Sequence, residues 1–98
     1  MSYRDAVDRD VRLIILRALA EEVDRSLNET LIRAQLDVFG HRRGRDYVRN
    51  QLRWLENEAG AVSLREAGSV MIATLTQRGR DHVDLRIAIE GIDQPSGA

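Results

Sequence analysis

The chain has 98 residues, 43% hydrophobic and 32% charged, with a formal net charge of −1 and no cysteine. That length supports one core and one domain, and the absence of cysteine excludes a disulfide framework or a thiolate metal site. There is no apolar run long enough to span a membrane, and the opening MSYRDAVDRD has no apolar signal core, so a cytoplasmic protein is expected.

The stretch from Asp5 to about Glu22 predicts a first helix. Val7, Val11, Ile14, Ile15, Ala18 and Leu19 recur at three- and four-residue intervals on one face, which Leu13 and Leu16 widen. Asp5, Asp8 and Asp10 enrich its first turns, where the helix dipole favours negative charge. Ser26-Leu27-Asn28-Glu29 opens a second helix. Ser26 with Glu29 fits a capping box, and Asn28 is a competing N-cap. Leu31, Ile32, Leu36 and Phe39 give this helix a core face, and Gly40 is placed to stop it.

His41-Arg42-Arg43-Gly44 leads into a third helix, from about Arg45 to Glu58. On a helical wheel Val48, Leu52, Leu55 and Ala59 fall on one side. Arg42, Arg45, Asp46, Arg49, Asn50 and Arg53 spread over a broad arc elsewhere. Between His41 and Arg53, five arginines stand against one aspartate, a local charge of +4 that leaves −5 on the remainder. Phosphate attraction acts within roughly 8 Å at physiological salt, so the local charge matters more than the total. Arginine can pair with guanine and asparagine with adenine in the major groove, which makes Arg45, Arg49, Asn50 and Arg53 candidate readers. Arg42 and Arg43, at the helix entrance, suit phosphates, and Asp46 suits bridging to its helical neighbours. A solvated charged face is the bland reading of the same pattern.

Tyr47 and Trp54 share a flank of this helix. They pack either against the second helix or at a subunit interface. His41 suits a phosphate or a helix end. With His82 as the only other histidine, no metal site is expected.

After Gly60 the period changes. Ala61–Arg65 and Val70–Leu75 predict two strands joined by a loop at Glu66–Ser69, where Gly68 is free to take positive φ. Arg65 is the basic residue beside that loop. Thr76 is a good N-cap for a fourth helix, Gln77 to about Ile89, with Val83 and Ile87 inward and Leu85 a further inward candidate. Gly79 weakens that helix by about 1 kcal/mol relative to Ala, which points to a close backbone approach. The last residues, GIDQPSGA, lack periodicity and predict a frayed tail. No catalytic constellation, phosphate-cradling glycine loop or metal-ligand spacing is present, so neither an enzyme nor a cofactor is expected.

Helix, helix, helix, hairpin, helix predicts a mainly α domain with a small β-hairpin. This is a winged helix-turn-helix over residues 1–90, with a flexible tail at 91–98. Leu52-x-x-Leu55-Glu56-x-x-x-Gly60-x-Val62, followed by Leu75-Thr76-x-x-Gly79, is similar to winged-helix bacterial regulators of the ArsR, MarR and PadR kind. More closely, the segments SLNETLIRAQLDVFGHRRGRDYVRNQLRWLENEAGAV, ATLTQRGRDHV and EGIDQPSG resemble a small family of Mu-like phage and prophage proteins labelled ArsR-like regulators. The resemblance implies a prophage-encoded winged-helix protein that binds DNA. The paired cysteines of metal-sensing ArsR proteins are missing, so that chemistry does not carry over.

The resulting expectation is a transcriptional regulator, a homodimer on double-stranded DNA, that uses Arg42, Arg43, Arg45, Arg49, Asn50, Arg53 and Arg65. The alternative is a winged-helix adaptor for a protein partner in phage packaging or assembly, with Tyr47 and Trp54 as its contact residues.

Overall fold

Ser2 sets the start of α1, Tyr3–Glu21. Its hydroxyl accepts from the Asp5 amide at 3.1 Å, while the Asp5 carboxylate accepts from the Ser2 amide at 3.4 Å. This reciprocal cap satisfies first-turn donors that the helix itself cannot. Val11, Leu13, Ile14, Ile15, Leu16, Ala18 and Leu19 are all buried, so the second half of α1 is covered on most of its circumference and forms the centre of the domain. The computed structural model describes residues 1–96.

The elements after α1 are β1 (Ser26–Asn28), α2 (Glu29–Val38), α3 (Arg45–Asn57), β2 (Val62–Ala67), β3 (Val70–Leu75) and α4 (Gln77–Val83). The strands form one antiparallel sheet in the order β1-β3-β2. β1 pairs Ser26 with Thr74 and Asn28 with Ile72, and β2 pairs Val62 with Leu75 through to Ala67 with Val70. The domain is therefore mixed α/β with a three-stranded sheet, where a mainly α domain with a lone hairpin was expected.

The unexpected strand lies where a capping box was expected. Ser26 belongs to β1, its hydroxyl 2.6 Å from that of Thr74, and Asn28 alone caps α2 by accepting from the Leu31 amide at 2.9 Å. Three residues are too few to show a two-residue alternation, which is why β1 left no mark on the pattern. On α2, Ile32 and Leu36 are fully buried, whereas Leu31 and Phe39 are 52% and 58% exposed, contrary to the expected core face. Glu29, in line with Ile32 and Leu36 at helical spacing, takes the remaining inward position. Gly40, at φ 88°, ends α2, with His41 and Gly40 amides donating to the carbonyls of Leu36 and Asp37.

The hairpin turn is shorter than expected, because β2 continues to Ala67 and leaves only Gly68 and Ser69 in the loop. Gly68 adopts φ 63°, which glycine reaches without a steric penalty. At Gly79 the expected close approach is present. A Cβ there would lie 2.7 Å from Leu75 Cδ1 and hard against the Ala61 carbonyl oxygen.

α4 stops at Val83, short of the expected Ile89, and Leu85 turns out at φ 63° with 52% of its surface exposed. The chain then folds back over α1 instead of fraying. Ile89, Ile92 and Pro95 are buried, the Asp93 amide donates to the Arg9 carbonyl at 3.2 Å, and Arg12 Nη1 donates to the Gly91 carbonyl at 2.9 Å. Within the expected tail, Ile92 and Pro95 are thus buried while Gln94 and Ser96 are exposed; residues 97 and 98 lie outside the described residues. His82 anchors this return. It is fully buried, its Nδ1 accepts from the Ile89 amide at 3.1 Å and its Nε2 lies 2.9 Å from the Asp93 carbonyl, which places the proton on Nε2.

Candidate functional site

α3 is held by Val48, Gln51, Leu52 and Leu55, all buried. The three hydrophobic residues are the ones its periodicity predicts. The polar arc divides in a way the sequence does not announce. Arg49 reaches to the Glu29 carboxylate with two prongs, Nε to Oε1 and Nη2 to Oε2, each at 2.8 Å. Arg45 adds a third donor, Nε to Oε1 at 3.1 Å, and the Met71 amide a fourth, to Oε2. Both arginines also donate through Nη2 to the Ser69 carbonyl in the hairpin loop, at 2.6 Å from Arg45 and 2.8 Å from Arg49.

Glu29 is 5% exposed at its side chain, and burial alone would raise its pKa. The Arg49 hydrogen bond outweighs burial. Together with the Met71 amide and Arg45, it holds the carboxyl down at about 2. The same contact raises the Arg49 pKa. A buried carboxylate with four donors has its lone pairs matched, the condition under which such a pair stabilises instead of costing desolvation. Glu29 thereby ties α2, α3 and the hairpin together.

Of the expected nucleic-acid residues, Arg49 is therefore committed inside the domain, with only 18% of its side chain exposed, whereas Arg45 is held at Nε and Nη2 while 53% of its side chain faces solvent. Arg42, Asn50, Arg53 and Arg65 are exposed. Arg43 is half-buried, with its guanidinium 5.0 Å above the Tyr47 ring. Asp46, Asn50, Arg53 and Asn57 form one exposed row along α3, with Arg42 before its start and Arg65 on the neighbouring strand. Asn57 was missed, although it continues the Arg53 row one turn on. Glu29 was missed too, yet its signal was present: a carboxylate on the same stripe as Ile32 and Leu36 must find a partner.

Tyr47 and Trp54 contact α1 and the C-terminal return, which accounts for both without a subunit interface or α2. The Tyr47 hydroxyl donates to the Asp8 carboxylate, and burial followed by that carboxylate pushes its pKa up. Arg12 stacks 3.7 Å from the Trp54 ring centroid and donates from Nε to Gln51 at 2.8 Å. Gly91 presses on the outer edge of the indole, where an added Cβ would lie 2.6 Å from Cη2. The His41 side chain is likewise engaged, its Nε2 2.7 Å from Asp10 on α1, while its backbone amide closes the end of α2.

The fold and this site define a small mixed α/β domain in which a three-way ionic clamp presents one exposed polar helix row. The chain belongs to the same family as the protein named uncharacterized protein gp26 of Escherichia phage Mu. The two are 35% identical over 91 residues, which cover 93% of each chain. It is also 38% identical over 78 residues to an uncharacterized protein of Haemophilus influenzae, covering 80% of this chain and 76% of that one. No family model matches the chain, and no solved structure does. Among the described residues, no helix is long and apolar enough to cross a membrane.

Proposed function

We propose that the chain is a winged helix-turn-helix protein that binds double-stranded DNA as a prophage transcriptional regulator. The order α1-β1-α2-α3-β2-β3 supports this assignment, with α2 and α3 as the helix-turn-helix, β2-β3 as the wing and β1 closing the sheet. One observation carries the functional reading: the exposed row Asp46-Asn50-Arg53-Asn57, flanked by Arg42 and Arg65. On this reading Asn50 and Arg53 face base edges in the major groove, while Arg42, Arg43 and Arg65 meet phosphates. Arg49 is removed from the expected set, and Arg45, restrained by Glu29 and Ser69, has a lesser part in it. A homodimer is part of the proposal, and size-exclusion chromatography with light scattering tests it.

The DNA reading is tested by anisotropy titration against fragments of the host genome at low and physiological salt. Binding that weakens steeply with salt, and falls at least tenfold in an Arg42→Ala/Arg53→Ala double variant, is expected. If no fragment binds at low salt, or the double variant binds like the parent, the proposal fails.

A second reading, a winged-helix adaptor for a phage protein, draws on a different surface from the one expected. Leu31, Val38 and Phe39 on α2 are 52%, 75% and 58% exposed. Recovery of a defined phage protein after nuclease treatment, lost on Leu31→Asp, would favour it.

A further inference from the structure

We propose that Glu29 is a positioning residue that sets the specificity of the nucleic-acid face by withholding Arg49, and the Nε and Nη2 of Arg45, from phosphate. The inference rests on the DNA-binding reading above. Non-specific affinity grows with the number of phosphates a protein neutralises, each contributing about 0.9 to the slope of log affinity against log salt. The third helix and its approach carry five arginines, a count that predicts strong binding to any duplex.

The Glu29 carboxylate, contributed by α2, alters that count. Arg49 donates through both Nε and Nη2, and the 18% of its side chain that remains exposed leaves little to approach a strand. Arg45 commits its Nε and Nη2 as well, to Glu29 and to the Ser69 carbonyl, although its side chain is 53% exposed, so it is restrained and not enclosed. A phosphate replacing Glu29 would re-form the same charge-assisted bonds, with no gain, and would leave a buried carboxylate unpaired. The Ser69 carbonyl accepts from both arginines and the Met71 amide donates to the carboxylate, so releasing the arginines would also loosen the wing. Sequence-independent contact is thereby left chiefly to Arg42, Arg43 and Arg65, with the restrained Arg45 contributing less, while Asn50 and Arg53 remain free for bases.

The test compares salt slopes of the whole chain and three variants on a bound genomic fragment and on a random duplex. Arg45→Ala is expected to lower the slope by clearly less than Arg42→Ala, which lowers it by about one. Glu29→Gln presents an amide group where donors converge. It is expected to steepen the slope on random DNA by about one to two and to shrink the ratio of specific to random affinity. A slope that falls in Arg45→Ala as far as in Arg42→Ala overturns the role of Glu29. So does an unchanged slope in a Glu29→Gln protein that retains its circular-dichroism spectrum. If Glu29→Gln fails to fold, the contrast between Arg45→Ala and Arg42→Ala decides. A parent chain that binds neither duplex sinks the DNA reading and this inference together. A parent that binds, with the wrong slopes in its variants, sinks only the inference.

Discussion

Glu29 on α2 and Arg49 on α3 face each other in a two-pronged ion pair, 2.8 Å on each arm, with the carboxylate side chain only 5% exposed. Neither residue belongs to the hydrophobic core, yet the pair links the two helices beside the packing of Ile32, Leu36, Val48 and Leu52. Because the Met71 amide donates to Glu29 and the Ser69 carbonyl accepts from Arg49, the hairpin is positioned by the pair as well. The polar face of α3 is thus presented on a frame whose key joint is ionic.

That joint makes stability depend on acidity. The Glu29 pKa falls from its ordinary value of 4.5 to about 2 in the folded chain. A group depressed by folding contributes stability that is complete above its unfolded pKa and is lost as pH falls through its folded one. Glu29→Gln is expected to cost about 2–4 kcal/mol at neutral pH, because it leaves donors facing an amide. The gap between parent and variant should then close as pH drops from 4.5 towards 2. Urea unfolding of both proteins at neutral pH and in acid checks this; a gap that persists at low pH contradicts it.

Gly79→Ala gives a prediction of opposite sign to the usual helix rule. Alanine improves intrinsic helix stability by about 1 kcal/mol over glycine. Here the new methyl would meet the Ala61 carbonyl oxygen and lie 2.7 Å from Leu75 Cδ1. Backbone must move to admit it, at a typical cost of about 1–3 kcal/mol. A net loss of stability is expected, read as a lower thermal midpoint. A variant as stable as the parent would mean that α4 and the Ala61 turn do not pack so closely.

How far the sequence speaks depends on how local each signal is. α1, α3 and β3 announce themselves because their buried residues repeat at a fixed interval, and Gly40, Gly68, Thr76 and Gly79 act as local markers. The candidate site was legible as a basic helix with Asn50 and Arg53 on its polar arc. It was not legible that Arg45 and Arg49 turn back to Glu29, since the partner lies 16 and 20 residues away. β1 was invisible for a similar reason: its identity comes from pairing with Thr74, Ala73 and Ile72, which a local pattern does not contain. The return of Ile89, Ile92 and Pro95 to the core has no period at all.

That return leads to a prediction at His82. His82→Ala removes the acceptor of the Ile89 amide and the group facing the Asp93 carbonyl, and leaves a cavity in a site with no solvent exposure. A loss of about 2–4 kcal/mol is expected. Hydrogen exchange should show protection lost first at the Ile89 amide, with the amides of α3 less affected. Uniform loss across the chain would mean that residues 84–96 unfold together with the rest and not as a separable flap.

Trp54→Ala separates packing from association. The indole lies between the Arg12 guanidinium, 3.7 Å from its ring centroid, and Gly91. Its removal is expected to cost about 2–3 kcal/mol through lost contacts and a partial cavity. The elution volume on size exclusion should be unchanged, because the ring is covered from within the same chain. A shift to a smaller species without loss of stability would restore the subunit-interface reading.

Asn50→Ala and Arg42→Ala should fail in different ways if α3 reads DNA. Asn50 lies mid-row on the exposed face, where its amide could accept from and donate to an adenine edge. Its loss removes a base contact but no charge. Affinity for the preferred fragment should fall by about 1–3 kcal/mol at every salt concentration, with the slope against log salt unchanged and discrimination at one base pair relaxed. Arg42, exposed before the first turn of α3, carries charge where a backbone phosphate would pass. Its loss should weaken binding to all duplexes alike and reduce the slope by about one, leaving sequence preference intact. Titrating both variants against a matched set of single-base substitutions at two salt concentrations separates the patterns. Identical behaviour of the two variants would mean that the row contacts DNA through charge alone and that Asn50 reads nothing.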